Sequence, residues 1–357
     1  MAPHGRAPLP EVGVVEVEVV RTRLELVRPF VTAHGTETAK ETLLVRAVGH
    51  DGAEGWGECG ALAEPTYTGE WVDGAEAVLR RFLGPAALAG RSPGIVGHPM
   101  AAAALEAAML HLRLAAAGTD LATWAGAVRD RVPCGVAVGI APTVDDLLAE
   151  VAEHVATGYQ RVKLKVRPGW DVEPVQAVRS AWPDLPVGVD ANGAYRRSDL
   201  DGALSRLDGL GLAEIEQPLP ADDLCGLAEV ARRLVTPVCL DESVTSVAAL
   251  ETALALGAVD HVNLKPGRVG GVAEALRIHD LALSRDVPLW VGGVLDTGVA
   301  KAVTVALAAL PGATLPGDIP SSHRWFTTDL TDPWEVAPDG TMAVRSLGQV
   351  RLPAPPA

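Results

Sequence analysis

Arg161-Val162-Lys163-Leu164-Lys165-Val166 alternates basic and aliphatic residues, and the run ends against Arg167-Pro168-Gly169. Side chains on an extended strand point alternately to opposite faces. Lys163 and Lys165 therefore share one face, and Val162, Leu164 and Val166 share the other. The distance to the next such run decides the fold. From Lys165 to Asp190 is 25 residues, then 26 to Glu216, 25 to Asp241, 24 to Lys265, 25 to Trp290 and 26 to Pro316. Short β-branched runs at 134–140, 161–166, 187–191, 213–216, 238–241, 261–265, 289–291 and 314–316 alternate with Ala-, Leu- and Val-rich helical stretches such as 144–156, 172–182, 247–256 and 272–284. Strand–helix alternation predicts a parallel sheet. An even period predicts equivalent units around a ring, a (β/α) barrel, and not a doubly wound sheet.

The flanks read differently. Residues 13–27 and 41–48 alternate like antiparallel strands, 54–59 continues the meander, and 74–83 and 100–117 are helical. The expected organisation is an α/β fold: an α+β capping domain over 1–130, a modified TIM barrel over 131–320, and a segment at 321–357 that returns to the capping domain, with 342–344 and 349–352 as further strands.

Composition narrows the function. The 357 residues carry a formal charge of −15, with 48% apolar and 21% charged residues. A globular chain is expected, and a protein this acidic is a poor partner for nucleic acid or an anionic membrane surface. The longest uncharged stretch, 302–317, has 16 residues and two prolines, too short for a membrane span. The first ten residues lack the apolar core of a signal peptide and read as a frayed start. Cys59, Cys134, Cys225 and Cys239 form no C-x-x-C pair, so they are expected to be four buried thiols in a reducing cytoplasm.

The strand ends carry the chemistry, since the active site of such a barrel lies at their C-terminal side. Asp190, Glu216 and Asp241 end three successive runs. One acid after a strand is usually a helix cap; three in equivalent places point to a shared divalent cation, and oxygen donors alone favour Mg²⁺ or Mn²⁺ over zinc. The lysines sharpen this. The chain has five, against 25 arginines, and three of them are Lys163, Lys165 and Lys265. Lysine can surrender its proton near neutral pH where arginine cannot. Lys163 and Lys165 are expected to lower each other's pKa. Lys165 and Lys265, on the second and sixth strands, would face each other across the barrel, although a salt bridge from Lys265 to one of the acids is the plainer alternative.

Lys163-Leu164-Lys165, Val189-Asp190-Ala191-Asn192, Glu216-Gln217-Pro218, Leu240-Asp241-Glu242-Ser243 and Asn263-Leu264-Lys265-Pro266 resemble, in order, the pattern of the enolase superfamily in its muconate-lactonizing branch. Within that branch, Lys265-Pro266-Gly267-Arg268-Val269-Gly270-Gly271, Gly292-Gly293-Val294-Leu295-Asp296-Thr297-Gly298, Leu315-Pro316-Gly317-Asp318 and Glu64-Pro65-Thr66-Tyr67 are similar to the o-succinylbenzoate synthase and N-succinylamino acid racemase group. Two positions depart from it: Ala137, where relatives often place a hydroxyl residue, and Asp296, where many have Glu.

The resemblance implies a cytoplasmic, metal-dependent hydro-lyase of menaquinone biosynthesis. It would dehydrate 2-succinyl-6-hydroxy-2,4-cyclohexadiene-1-carboxylate through an enediolate, with racemisation of N-acylamino acids alongside or as the main activity. Dipeptide epimerase and muconate cycloisomerase use the same lysines and stay open, as does a non-catalytic metal-binding relative. The resemblance makes Lys165 the base and Lys265 its opposite number, Lys163 an auxiliary contact to the substrate carboxylate, and Asn192 and Glu242 supports for the metal ligands. Arg268 is either a racemase-associated arginine behind the site or a surface residue on a Gly-rich turn. Phe30 and Tyr67 are expected on lids over a small carboxylate substrate, and a homo-oligomer is expected.

Overall fold

The computed structural model describes residues 6–91 and 94–352. Three strands, β1 (Val14–Val31), β2 (Thr36–Gly49) and β3 (Glu54–Cys59), form an antiparallel sheet in that order. The helix Pro99–Ala116 packs on it, with Leu105, Ala108 and Leu112 buried against Val45 and Ala47. The approach is close enough to dictate glycine. A Cβ on Gly57 would lie 1.9 Å from the Ala104 carbonyl oxygen, and one on Gly55 would lie 2.0 Å from that of Ala108.

Eight parallel strands follow: β4 (Arg131–Val138), β5 (Arg161–Lys165), β6 (Val187–Asp190), β7 (Glu214–Glu216), β8 (Val238–Leu240), β9 (His261–Leu264), β10 (Leu289–Val291) and β11 (Gly317–Asp318). They pair in sequence from β4 to β10, with β11 beside β4. Val162, Leu164, Val187, Val189 and Ile215 join the shell of aliphatic side chains between strands and helices. The ring closes through the Thr314 and Leu315 N–H groups, which both donate to the Leu289 carbonyl. Spending those donors on closure shifts the eighth strand, expected at 314–316, to Gly317–Asp318. Helix starts follow ordinary capping chemistry: Thr143, Ser246 and Asp223 accept from the Asp146, Ala249 and Gly226 N–H groups.

Two barrel helices are capped from the other domain. Glu58 on β3 accepts from Thr297 Oγ1 at 2.6 Å and from Ala300 N at 3.1 Å, at the start of the helix Gly298–Ala308. Glu106 accepts from Ala273 N at 3.0 Å, at the start of the helix Val272–Ser284. Burial pushes both carboxyls up, Glu58 to about 7.

The tail differs from expectation. Its strand β12 (Thr341–Ala343) pairs antiparallel with β4 of the barrel, and 349–352 forms no strand, although Leu347 and Val350 pack beside Leu44 of the first sheet. Residues 1–5 and 353–357 lie outside the described part. From Arg6 onward the expected frayed start is pinned: Arg6 pairs with Asp280 at 3.0 Å and donates to the Ala125 carbonyl. Cys225 is exposed, against the expectation of four buried thiols, because it sits on the outer side of the helix Leu224–Arg233; Cys59, Cys134 and Cys239 are buried. Among the described residues no helix is long and apolar enough to cross a membrane.

Candidate active site at the barrel mouth

The barrel interior is charged where such barrels usually pack aliphatics. Arg161 reaches from β5 to Glu214 at 2.5 Å and Asp318 at 2.8 Å, and its guanidinium lies 4.2 Å from the centre of the Trp290 ring. Glu214 also accepts from Trp290 Nε1 at 3.2 Å and contacts His261 at 3.0 Å. One step nearer the mouth, Lys163 Nζ lies 2.5 Å from both Glu216 and Asp318, 3.4 Å from Asp190 and 4.6 Å from the Trp290 ring centre. At the rim, Lys165 Nζ donates to Asp190 at 2.6 Å and to Asn192 Oδ1 at 2.8 Å.

Across the mouth, Lys265 follows β9, four strands round the ring from β5. Its amine donates to Asp241 at 2.8 Å and lies 3.0 Å from the Tyr67 hydroxyl. Lys165 and Lys265 line one cavity, together with Phe30, Tyr67, Lys163 and Asn192. The salt bridge from Lys265 and its place on the cavity wall thus coexist.

Arg268 is 1% exposed, which excludes the surface alternative. It pairs with Asp241 and donates to the Asn263 carbonyl at 2.7 Å and to Tyr67 OH at 3.2 Å. Its Nε also donates to the Val244 carbonyl at 3.2 Å, so the buried guanidinium is satisfied from several sides. Glu242 accepts from Asn192 Nδ2 at 2.9 Å; its second oxygen is buried without a partner, and desolvation followed by Asp190 pushes the carboxyl up to about 7.

The expected mutual lowering of the lysine pKa values fails for Lys163. Burial alone would lower it, but Asp318, Glu216 and Asp190 outweigh that penalty and hold it well above the usual range. Lys265 is likewise held up against burial by Tyr67, Glu216 and Glu242. Asp190 runs the other way: burial would raise it, and Lys165 and Lys163 keep it below the carboxylate range. Glu216 is raised by burial and by the neighbouring Asp190 charge.

Asp190, Glu216 and Asp241 are buried on neighbouring strands, and Asp190 lies opposite Glu216 in register. The expectation that the three converge on one point is corrected in one respect. Among the described residues no three acidic, histidine or cysteine side chains stand together as a formed cation cage. Each carboxylate lies on the nearest cation: Asp190 on Lys165, Glu216 on Lys163, and Asp241 on Lys265 and Arg268. The donor chemistry nevertheless fits a hard divalent ion. All three donors are carboxylates, Glu216 is strained by Asp190, and an unpartnered Glu242 oxygen lies close by.

Phe30 and Tyr67, expected as lid residues, both line the cavity from the first domain. Phe30 packs edge-on to Trp325, ring centres 5.0 Å apart, with Lys165 Nζ 6.0 Å from its ring centre. The strand carrying it is tied to the barrel by Ile140 N donating to the Val31 carbonyl at 2.8 Å. Ala137 and Asp296, the two departures, both line the cavity; Asp296 accepts from Val294 N and Thr304 Oγ1, each at 2.8 Å.

Three contributors were not foreseen as site residues. Asp318 and Trp290 close off Lys163. Gln217 accepts from the Asp241 and Ser243 N–H groups at 3.1 and 3.2 Å and so shapes the Asp241 loop. Its backbone and that of Asn192 take left-handed φ of 37° and 45°, a strain typical of functional loops. The strand period reaches Trp290 and the residues just before Asp318, but it does not say that these two side chains turn inward onto Lys163, and nothing in the spacing singles out Gln217.

The family model Enolase C-terminal domain-like matches residues 146–348. An N-succinylamino acid racemase of Amycolatopsis sp is 50% identical over 89% of each chain. An o-succinylbenzoate synthase of Geobacillus stearothermophilus is 41% identical over 96% of this chain and 92% of its own. Among solved structures, a member of the enolase superfamily from Enterococcus faecalis V583 superposes with a TM-score of 0.87, 38% identity and 96% coverage of both chains. A dipeptide epimerase from the same strain, solved with Mg and L-Leu-L-Tyr, shares the fold: TM-score 0.83, 23% identity, 94% of this chain and 98% of that one.

Proposed function

This chain belongs to the enolase superfamily, and from that membership we propose that it is an o-succinylbenzoate synthase that also racemises N-succinylamino acids. The reading rests on one observation above all: two amines, Lys165 and Lys265, reach a single cavity from opposite strands, each seated on a buried carboxylate.

In the dehydration, Lys165 removes the proton beside the substrate carboxylate and returns it to the departing hydroxyl, so the cyclohexadiene becomes o-succinylbenzoate and water leaves. Lys265, held protonated by Tyr67 and the acids behind it, faces the negative charge that develops and stabilises it. In the racemisation, one lysine takes the α-proton and the other delivers one to the opposite face. Lys163, locked by Asp318 and Glu216, contributes fixed positive charge beside the carboxylate. Arg268 and Tyr67 orient Asp241 and Lys265. A Mg²⁺ or Mn²⁺ ion held by Asp190, Glu216 and Asp241 would supply the charge that offsets the electron density building on the substrate carboxylate.

Racemisation as the main activity is the second reading, supported by the 50% identity to the Amycolatopsis racemase. The deciding experiment compares kcat/KM on 2-succinyl-6-hydroxy-2,4-cyclohexadiene-1-carboxylate with kcat/KM on N-succinyl amino acids, in the presence of Mg²⁺. Turnover of both supports the reading. Failure to dehydrate the cyclohexadiene, together with no solvent deuterium entering the α-position of the amino acids, refutes it.

A further inference from the structure

The cavity of Lys165 and Lys265 has a further lysine in its wall that the proposed chemistry leaves unused. Lys301 lies in the first turns of the helix Gly298–Ala308, after β10, and is 2% exposed. Its amine donates to the Pro320 carbonyl at 2.7 Å. Among the described residues it has no other hydrogen-bond acceptor, and no carboxylate lies within ion-pair distance. The acids nearest in charge are committed elsewhere: Asp296 to Val294 N and Thr304 Oγ1, and Asp329 to Gly298 N and Ser322 Oγ. Lys163, Lys165 and Lys265, by contrast, each rest on a carboxylate. A buried ammonium with one of its three donors used is costly unless an anion reaches it. Pro320, Ile319, Asp296 and Thr304 line the same cavity, so Lys301 stands in the wall of the substrate space.

We propose that Lys301 receives a second anionic group of the substrate, the terminal carboxylate of a succinyl arm, while the first carboxylate lies at the Lys165–Lys265 end. The inference rests on the proposed function and adds what it lacks, a physical basis for selecting dicarboxylates. A buried cation at this end also opposes an ammonium-terminated substrate such as a dipeptide.

The test uses two ligands that differ only there, N-succinyl- and N-butanoyl-phenylalanine, with the full-length protein and Mg²⁺. Racemisation and calorimetric binding are measured for the unaltered protein, Lys301→Met and Lys301→Arg. The unaltered protein should favour the succinyl compound by roughly tenfold or more, a charged hydrogen bond's worth. Lys301→Met should abolish that preference, mainly through KM, and Lys301→Arg should keep it. Equal binding of both ligands by the unaltered protein overturns the proposal, as does a preference that survives in Lys301→Met. Should Lys301→Met not fold, Lys301→Gln, which removes the charge but keeps a donor for the Pro320 carbonyl, makes the same comparison, and a succinyl preference that survives in it overturns the proposal. If neither compound is racemised yet the Lys301-dependent binding preference stands, the assignment of activity falls and this one survives. If both are racemised without preference, the reverse holds.

Discussion

Lys165 shows how much one residue's neighbours decide. It stands out in the sequence because lysine is scarce and alternates with aliphatics, and the structure seats it on Asp190 and Asn192 at the cavity wall. Lys165→Ala should lower kcat for both dehydration and racemisation by roughly 10³-fold, the usual loss for a general base; residual turnover near that of the unaltered protein would exclude it as the base. Lys265→Ala should abolish racemisation, followed by polarimetry, because the second face loses its proton donor; full racemase turnover in that variant would refute the two-base scheme. Asp241→Asn should weaken Mg²⁺ binding tenfold or more by calorimetry, and unchanged affinity would remove Asp241 from the ligand set. Arg268 is the residue that sequence left undecided. A glycine-rich turn is equally compatible with an inward or an outward arginine, and only the fold brings the Asn263 and Val244 carbonyls within its reach.

At the scale of elements, strands announced themselves by period and helices by composition, so the eight-fold barrel and the three-stranded sheet were both legible. Less legible was anything decided by a partner distant in sequence. The eighth strand slid by a few residues because its first donors close the ring on Leu289. The tail strand chose β4 over the capping sheet because the edge beside Arg131–Pro133 was free. The three carboxylates proposed as metal ligands were readable as acids at equivalent strand ends, but not the cations that now pair with them, since pairing depends on which side chains cross the barrel. Close packing is equally silent in sequence: Gly57 lies against the helix Pro99–Ala116 with no room for a methyl group. Gly57→Ala should therefore destabilise the protein by about 2 kcal/mol or more in thermal denaturation. Insensitivity to that change would mean the sheet and helix are more loosely packed than they appear.

For the whole molecule, the decisive contacts are those between capping domain and barrel. Glu58 carries a carboxyl raised by burial to about 7, well above its unfolded value near 4.3. Between those values the folded protein binds the extra proton, so Glu58 favours folding at the acid end, and that contribution is lost as pH rises through 7. Glu58→Gln removes the titration. In paired melting curves the stability of the original protein relative to Glu58→Gln should improve as pH falls from 8 to 6, by up to about 1.4 kcal/mol per pH unit. A pH-independent difference would show that Glu58 is ionised at ordinary cost.

The same carboxylate has an architectural meaning. Glu58 and Glu106 finish two helices that belong, by sequence, to the other domain. A barrel expressed without its cover would lose more than a lid: the first turns of Gly298–Ala308 and Val272–Ser284 would stand open-ended, with amide hydrogens facing water. Exchanging covers between relatives, a natural engineering route to new substrates, will succeed only when the donor brings acids that land on those same two helix beginnings.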